Sequence, residues 1–273
     1  MSDNPLHDKH LPLTSVSSGK GYEVLPDVYC YPVQIVNVYL VGDPARGDWV
    51  LIDTGMPRCE DDIIREATER FGEGVAPRAI LPTHGHFDHV GAVVELAEHW
   101  RVPVYAHSLE LPYLTGQKSY APADTHAGGG VIPSLAGAFP REPIDLCEHV
   151  RPLPDNGELP FLPGWRWLHT EGHTPGHVSL FRDEDRALLA GDAFVTVRQE
   201  SLYQVVTQHQ EVSGPPRYFT PDWEAAYRSA QKLADLTPRV AMTGHGRAMT
   251  GEALQEGLRK LINNFESQAM PDR

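Results

Sequence analysis

An α/β sandwich is the fold class this sequence predicts, and three observations predict it. Apolar, strand-like runs recur along the chain, each ending in a polar, glycine-punctuated turn. Helical periodicities fill the gaps between those runs. The first apolar region, residues 22–41 (YEVLPDVYCYPVQIVNVYLV), reads as paired strands. Strands alternating with helices indicate layered sheets covered by helices.

Residues 1–21 (MSDNPLHDKHLPLTSVSSGKG) are a polar, proline-broken extension, and residues 22–273 are read as one domain. The strand-and-turn arrangement then occurs at Trp49 to Gly55 (WVLIDTG), Ala79 to His86 (AILPTHGH), Trp165 to His173 (WRWLHTEGH), Ala187 to Asp192 (ALLAGD) and Arg239 to His245 (RVAMTGH). Each leaves an aspartate or histidine at the carboxyl end of its strand, where α/β sheets display ligand-binding groups, so these residues are expected on one edge. The helical patterns are Ile63, Ile64, Ala67 and Phe71; Val90, Val93, Val94 and Ala97; Trp223, Ala226, Ala230 and Leu233; and Leu254, Leu258, Leu261, Ile262 and Phe265. Each spacing buries one helix face. Residues 107–163 are irregular, with Gly128, Gly129, Gly130 and many prolines; they read either as a surface excursion or as a lid that caps a pocket.

Composition narrows the function. A chain of 273 residues can bury a sizeable core, and 41% hydrophobic with 22% charged residues excludes a disordered or fibrous protein. The 37 acidic against 23 basic residues give a net charge of -14, which repels a phosphate backbone, so no nucleic-acid partner is expected. No apolar secretory segment and no run of ~18 apolar residues is present, so neither export nor a membrane span is expected and a cytoplasmic location is. Cys30, Cys59 and Cys147 lie too far apart for a CxxC zinc site or a disulfide framework.

The strongest signal is Thr83-His84-Gly85-His86-Phe87-Asp88-His89, an HxHxDH segment between an apolar strand and an amphipathic helix. Two-residue spacing at a strand end sends His84 and His86 to the same side. Asp88 and His89 are expected to begin the helix and to face the same cavity from its other wall. Imidazole and carboxylate donors suit zinc, manganese or ferrous iron, and the absence of nearby thiolates argues against a closed structural zinc site.

Together with His173 in Gly172-His173-Thr174-Pro175-Gly176-His177, Asp192 in Gly191-Asp192 and His245 in Gly244-His245-Gly246, this segment follows the ligand order of the metallo-β-lactamase superfamily, which the chain resembles from about Tyr22 to Gly246. The resemblance implies a four-layer αββα sandwich. It implies His84, His86 and His173 on one metal ion, Asp88, His89 and His245 on a second, and Asp192 bridging them. Zinc is the expected metal, with manganese or iron as alternatives. Asp53 in LIDTG matches the family's strand-end aspartate, which supports the site from behind the ligands. His177 reads either as a similar support or as an ordinary structural histidine. His99, His107, His126, His149, His169 and His209 have no comparable spacing and are read as surface or core residues.

Two ions sharing a water generate hydroxide at neutral pH, so the expected reaction is hydrolysis by metal-bound hydroxide, with Asp88 orienting the nucleophile or moving a proton. The sequence is similar to the glyoxalase II-like and lactonase-like branches, which implies a small ester, thioester or lactone as substrate, with two departures. Only residues 246–273 follow the last ligand, too few for the basic helical domain of the glutathione-thioester hydrolases. Asp192 is followed by Ala193, Phe194 and Val195, where several lactonases place a tyrosine; Tyr203 and Tyr218 are the candidate substitutes. The alternatives are a mononuclear-iron sulfur dioxygenase, or β-lactam or phosphodiester hydrolysis at the same site. The expected partner is a small-molecule substrate, and exposed apolar surface near the irregular segment would suit a homodimer.

Overall fold

The computed structural model describes residues 4–7, 9, 13–127, 131–146 and 149–271. Cys147 and Gly128, Gly129 and Gly130 lie outside the described residues. The chain divides into two compact units, Met1–Tyr120 with Pro140–Pro163 and Ala121–Phe139 with Gly164–Arg273. The irregular stretch is thereby shared, its middle part belonging to the second unit and its ends to the first.

The first unit is built on a seven-stranded sheet in chain order, β1 (Tyr22–Leu25), β2 (Val28–Val33), β3 (Val36–Asp43), β4 (Asp48–Ile52), β5 (Ile80–Leu81), β6 (Val104–Ala106) and β7 (Val150–Pro152). β1 to β4 are antiparallel and β4 to β7 parallel. Connection length decides this: the first strands are joined by tight turns, whereas parallel pairing needs a long crossover. Two of those crossovers carry α1 (Glu60–Phe71) and α2 (Val93–Trp100); a short helix α3 (Leu111–Leu114) follows β6. α1 buries Ile63, Ala67 and Phe71, the face its periodicity predicts, and opens with Glu60, Asp61 and Asp62, which favour the positive end of its dipole. Both helices meet the sheet at Trp49 of β4, whose ring stacks on Phe71 at 4.6 Å and takes Trp100 edge-on at 5.5 Å.

Contrary to the expectation from the sequence, Asp88 and His89 do not begin the helix; α2 starts at Val93, after a turn over residues 86–92. Part of the main chain of that turn pairs outside it. Thr54 N–H donates to His89 O at 2.7 Å and Gly91 N–H to Gly55 O at 2.9 Å, so these groups are paired with the end of β4 rather than with a helical ladder. Gly91 lies so close to that strand end that a Cβ there would fall 2.3 Å from Pro57 N.

The second unit holds a five-stranded sheet in the order β12 (Met249–Thr250), β11 (Val240–Thr243), β10 (Ala187–Gly191), β9 (Val178–Arg182) and β8 (Trp165–His169). β10 pairs parallel with β11, and β9 is antiparallel to both β8 and β10. β8, β10 and β11 therefore point the same way, and the turns that follow them share one edge. Helices α4 (Val131–Ala136), α5 (Leu202–Thr207), α6 (Trp223–Asp235), α7 (Gly251–Asn263) and α8 (Phe265–Gln268) complete the unit. Its core joins Leu188, Ala190 and Ala241 of the sheet to Ala226, Ala230 and Leu233 of α6 and Leu254, Leu258 and Leu261 of α7. Phe265, expected in the last long helix, sits beyond a break at Asn264 and packs its ring against Trp223 and Tyr227. Asp222 caps α6 by accepting from Ala225 N–H at 3.0 Å. Among the described residues no helix is long and apolar enough to cross a membrane.

Candidate metal centre

In the first unit, the end of β4 and the turn after β5 are neighbours because those strands pair in parallel. Asp53 follows β4 and adopts a left-handed backbone, φ 59°, which turns its carboxylate toward the β5 turn. There it accepts from Thr83 N–H at 2.6 Å, from the Thr83 hydroxyl, and from His89 Nδ1 at 2.8 Å. The Thr83 oxygen is 3.1 Å from His84 Nδ1. Its proton goes to Asp53, so it accepts from His84 Nδ1–H. Both His84 and His89 thus carry their proton on Nδ1, which leaves the Nε2 lone pair for a cation. His84 Nε2 comes to 3.0 Å from His86 Nδ1, and the His84 and His89 rings lie 4.1 Å apart. Asp88 is buried within the same turn.

The second unit gathers the other predicted residues. Asp192 and His245 follow the parallel strands β10 and β11, and His173 follows β8 on the same edge. Asp192 Oδ2 lies 3.6 Å from His173 Nε2 and 3.3 Å from His245 Nε2, all three residues being buried. His173 Nδ1 is 3.0 Å from Thr220 Oγ1, whose proton goes to Pro216 O at 2.8 Å. Nδ1 is therefore the donor and Nε2 again holds the lone pair. Gly172, φ 128°, permits this turn: a Cβ would lie 2.3 Å from Ala226 N, so only glycine lets α6 approach.

His177 is fixed by a chain of bonds whose directions are all determined. Its Nε2 accepts from Asp192 N–H at 2.8 Å, so Nδ1 bears the proton and donates to Thr170 Oγ1 at 2.9 Å. Thr170 passes its own proton to Ser179 Oγ, which donates to Ala190 O, both at 2.9 Å. The chain leaves β10 at Ala190 and returns at Asp192, clamping the strand end that presents the carboxylate. His177 therefore holds the backbone of Asp192 in place. Sequence reasoning missed the threonines and serine in these networks; only Thr83, adjacent to His84, carried a local signal. His99, His107, His126, His149, His169 and His209 are none of them buried. Tyr203 is 74% exposed, whereas Tyr218 is buried among Phe139 and Phe219.

The model of the family described as the metallo-beta-lactamase superfamily matches residues 31–245. The chain belongs to the metallo-β-lactamase superfamily. It is 50% identical over 263 residues to the probable metallo-hydrolase YflN of Bacillus subtilis (strain 168), covering 96% of this chain and 100% of that one. The hydroxyacylglutathione hydrolase GloC of Haemophilus influenzae is 30% identical over 117 residues, 42% of this chain and 49% of that protein. Among solved structures, the B3 metallo-β-lactamase BLEG-1 superposes with a TM-score of 0.57 at 25% identity, over 82% of this chain and 92% of that one. A di-iron-bound form of TTHA1623 superposes with a TM-score of 0.50 at 32% identity, over 83% and 94%. The α/β sandwich of this superfamily is therefore the fold, and the chain is a metal-binding hydrolase carrying the superfamily's histidines and aspartates.

Proposed function

We propose that the protein is a dinuclear metal-dependent hydrolase of small esters, thioesters or lactones. In this reading His84, His86 and His173 hold one ion, Asp88, His89 and His245 hold a second, and Asp192 serves both. The observation that carries it is the protonation pattern: His84, His89 and His173 each have Nδ1 tied to an oxygen, so Nε2 is the lone-pair atom in all three. The donor separations agree with this. Two nitrogens bound to one zinc ion at 2.0–2.1 Å in tetrahedral geometry sit about 3.3 Å apart. Within each unit, donor atoms lie 3.0 Å apart for His84 and His86, and 3.6 Å and 3.3 Å for His173 and His245 against Asp192.

Bound divalent ions would supply an acidified water and a Lewis acid for the carbonyl oxygen. The chain's own residues do the rest. Asp88 accepts the proton of the attacking water at its carboxylate and passes it to the leaving oxygen or sulfur. Asp53 keeps His89 in the tautomer that carries its proton on Nδ1. Asp192, clamped through its backbone N–H by His177, holds its carboxylate between His173 and His245. An acyl substrate is supported by the likeness to a hydroxyacylglutathione hydrolase over part of the chain. Zinc fits the donors, and the di-iron-bound neighbour makes iron the alternative.

The test is a hydrolysis screen of metal-loaded protein over lactones, thioesters, aryl esters, phosphodiesters and β-lactams, with Asp88→Ala alongside. Turnover of one of the first three classes, abolished in the variant, is expected. Turnover confined to phosphodiesters or β-lactams contradicts the substrate class, and oxygen uptake with a persulfide would establish the dioxygenase instead.

A further inference from the structure

Gly85 stands between His84 and His86, and its amide is held by residues that no motif includes. The Glu110 carboxylate, 1% exposed at the N-terminal end of α3, accepts Gly85 N–H at Oε2 at 2.9 Å. The same oxygen accepts the hydroxyl of Tyr120, which is itself 3.1 Å from Gly85 N. The Tyr120 ring lies flat on Tyr113 with centroids 3.9 Å apart and meets the His86 ring at 4.5 Å and 64°. A Cβ on Gly85 would fall 2.7 Å from the Tyr120 oxygen and 3.3 Å from Glu110 Oε2. The glycine of HxH is thus a space requirement set by this pair.

We infer that Glu110 and Tyr120 are positioning residues for His86: the carboxylate and phenol pin the Gly85 amide while the phenol ring sets the plane of the imidazole. This rests on the reading of His86 as a metal ligand. The geometry divides the work. Glu110 fixes the main chain through a hydrogen bond sheltered from water. Tyr113 holds the Tyr120 ring so that its edge-to-face contact leaves His86 one orientation. A ligand imidazole whose ring and backbone are both fixed loses less freedom on binding an ion, and removing such support weakens metal affinity typically 10- to 100-fold.

The experiment compares the whole protein with Tyr120→Phe, Glu110→Ala, Gly85→Ala and the double variant Gly85→Ala/Tyr120→Phe. It reads cobalt(II) affinity by chelator competition, the visible spectrum of the cobalt protein, and folding by circular dichroism. Tyr120→Phe keeps the ring and loses only the hydroxyl, so it is expected to fold, to bind cobalt about 10-fold more weakly and to show a shifted ligand-field spectrum. Gly85→Ala is expected to be impaired through the clash with the phenol oxygen. The double variant should recover most of the loss that Gly85→Ala causes, because the phenol oxygen at 2.7 Å is gone and only the milder contact with Glu110 at 3.3 Å remains. Folded Tyr120→Phe with wild-type affinity and spectrum overturns the inference, as does a double variant whose losses simply add. Wild-type protein that binds no cobalt overturns instead the reading of His86 as a ligand.

Discussion

Four histidines carry their protons where neighbouring oxygens direct them, His84 and His89 through Thr83 and Asp53, His173 through Thr220, and His177 through Thr170. An imidazole free to choose its tautomer would present the wrong nitrogen for part of the time. Asp53→Asn should therefore weaken metal binding by about 10- to 100-fold, because an amide cannot accept from Thr83 and His89 together; chelator competition measures it. His177→Gln keeps an acceptor for Asp192 N–H and a donor for Thr170, whereas His177→Leu leaves both buried partners unsatisfied. The glutamine variant should retain metal content, and the leucine variant should lose it along with about 1–3 kcal/mol of stability, read by denaturant unfolding. The proposed ligands are legible in the sequence because they fall in short motifs at strand ends. Their supporting hydroxyls are not: Thr220 meets His173 across 47 residues, and no local pattern encodes that pairing.

At the scale of elements, the parallel pairs β4–β5 and β10–β11 are what put residues distant in sequence on a common edge. The five strand-and-turn segments each contain an observed strand, and the helix periodicities mark the buried faces. The start of α2 was misread because the apolar spacing continues back to Val90, while the main chain over His89 and Gly91 pairs with the end of β4. Periodicity registers side-chain burial and not where a backbone N–H is already committed. Trp49 ties α1 and α2 to the first sheet, so Trp49→Ala is expected to cost about 3–5 kcal/mol in denaturant unfolding, as removal of a buried tryptophan does. A smaller effect belongs to the Lys9–Glu142 pair, 2.9 Å apart. The hydrogen bond from Lys9, then one from its own backbone, draw the Glu142 carboxyl down to about 2. Its contribution is present above the ordinary carboxylate range and is lost as pH falls through about 2. Glu142→Gln should abolish that small acid-side loss in thermal melts, an effect kept small by solvent exposure.

For the whole molecule, the sequence carried the fold class and the chemistry further than it carried the substrate. Hydrolysis is what membership of the family and its shared donors imply, whereas substrate choice depends on pocket shape, which no periodicity fixes. An acidic chain of net charge -14 attracts cations at long range. Metal that binds only the folded chain stabilises it by mass action, about 4 kcal/mol at a thousandfold excess over Kd, so a strong chelator should lower Tm and added zinc should restore it. The proposed function requires two ions per chain. Elemental analysis of protein purified without added metal tests it most directly: close to two zinc, manganese or iron atoms per chain, falling when His86 or His245 is replaced by alanine, is the expected result, and protein that holds no metal and takes up none on reconstitution would contradict it.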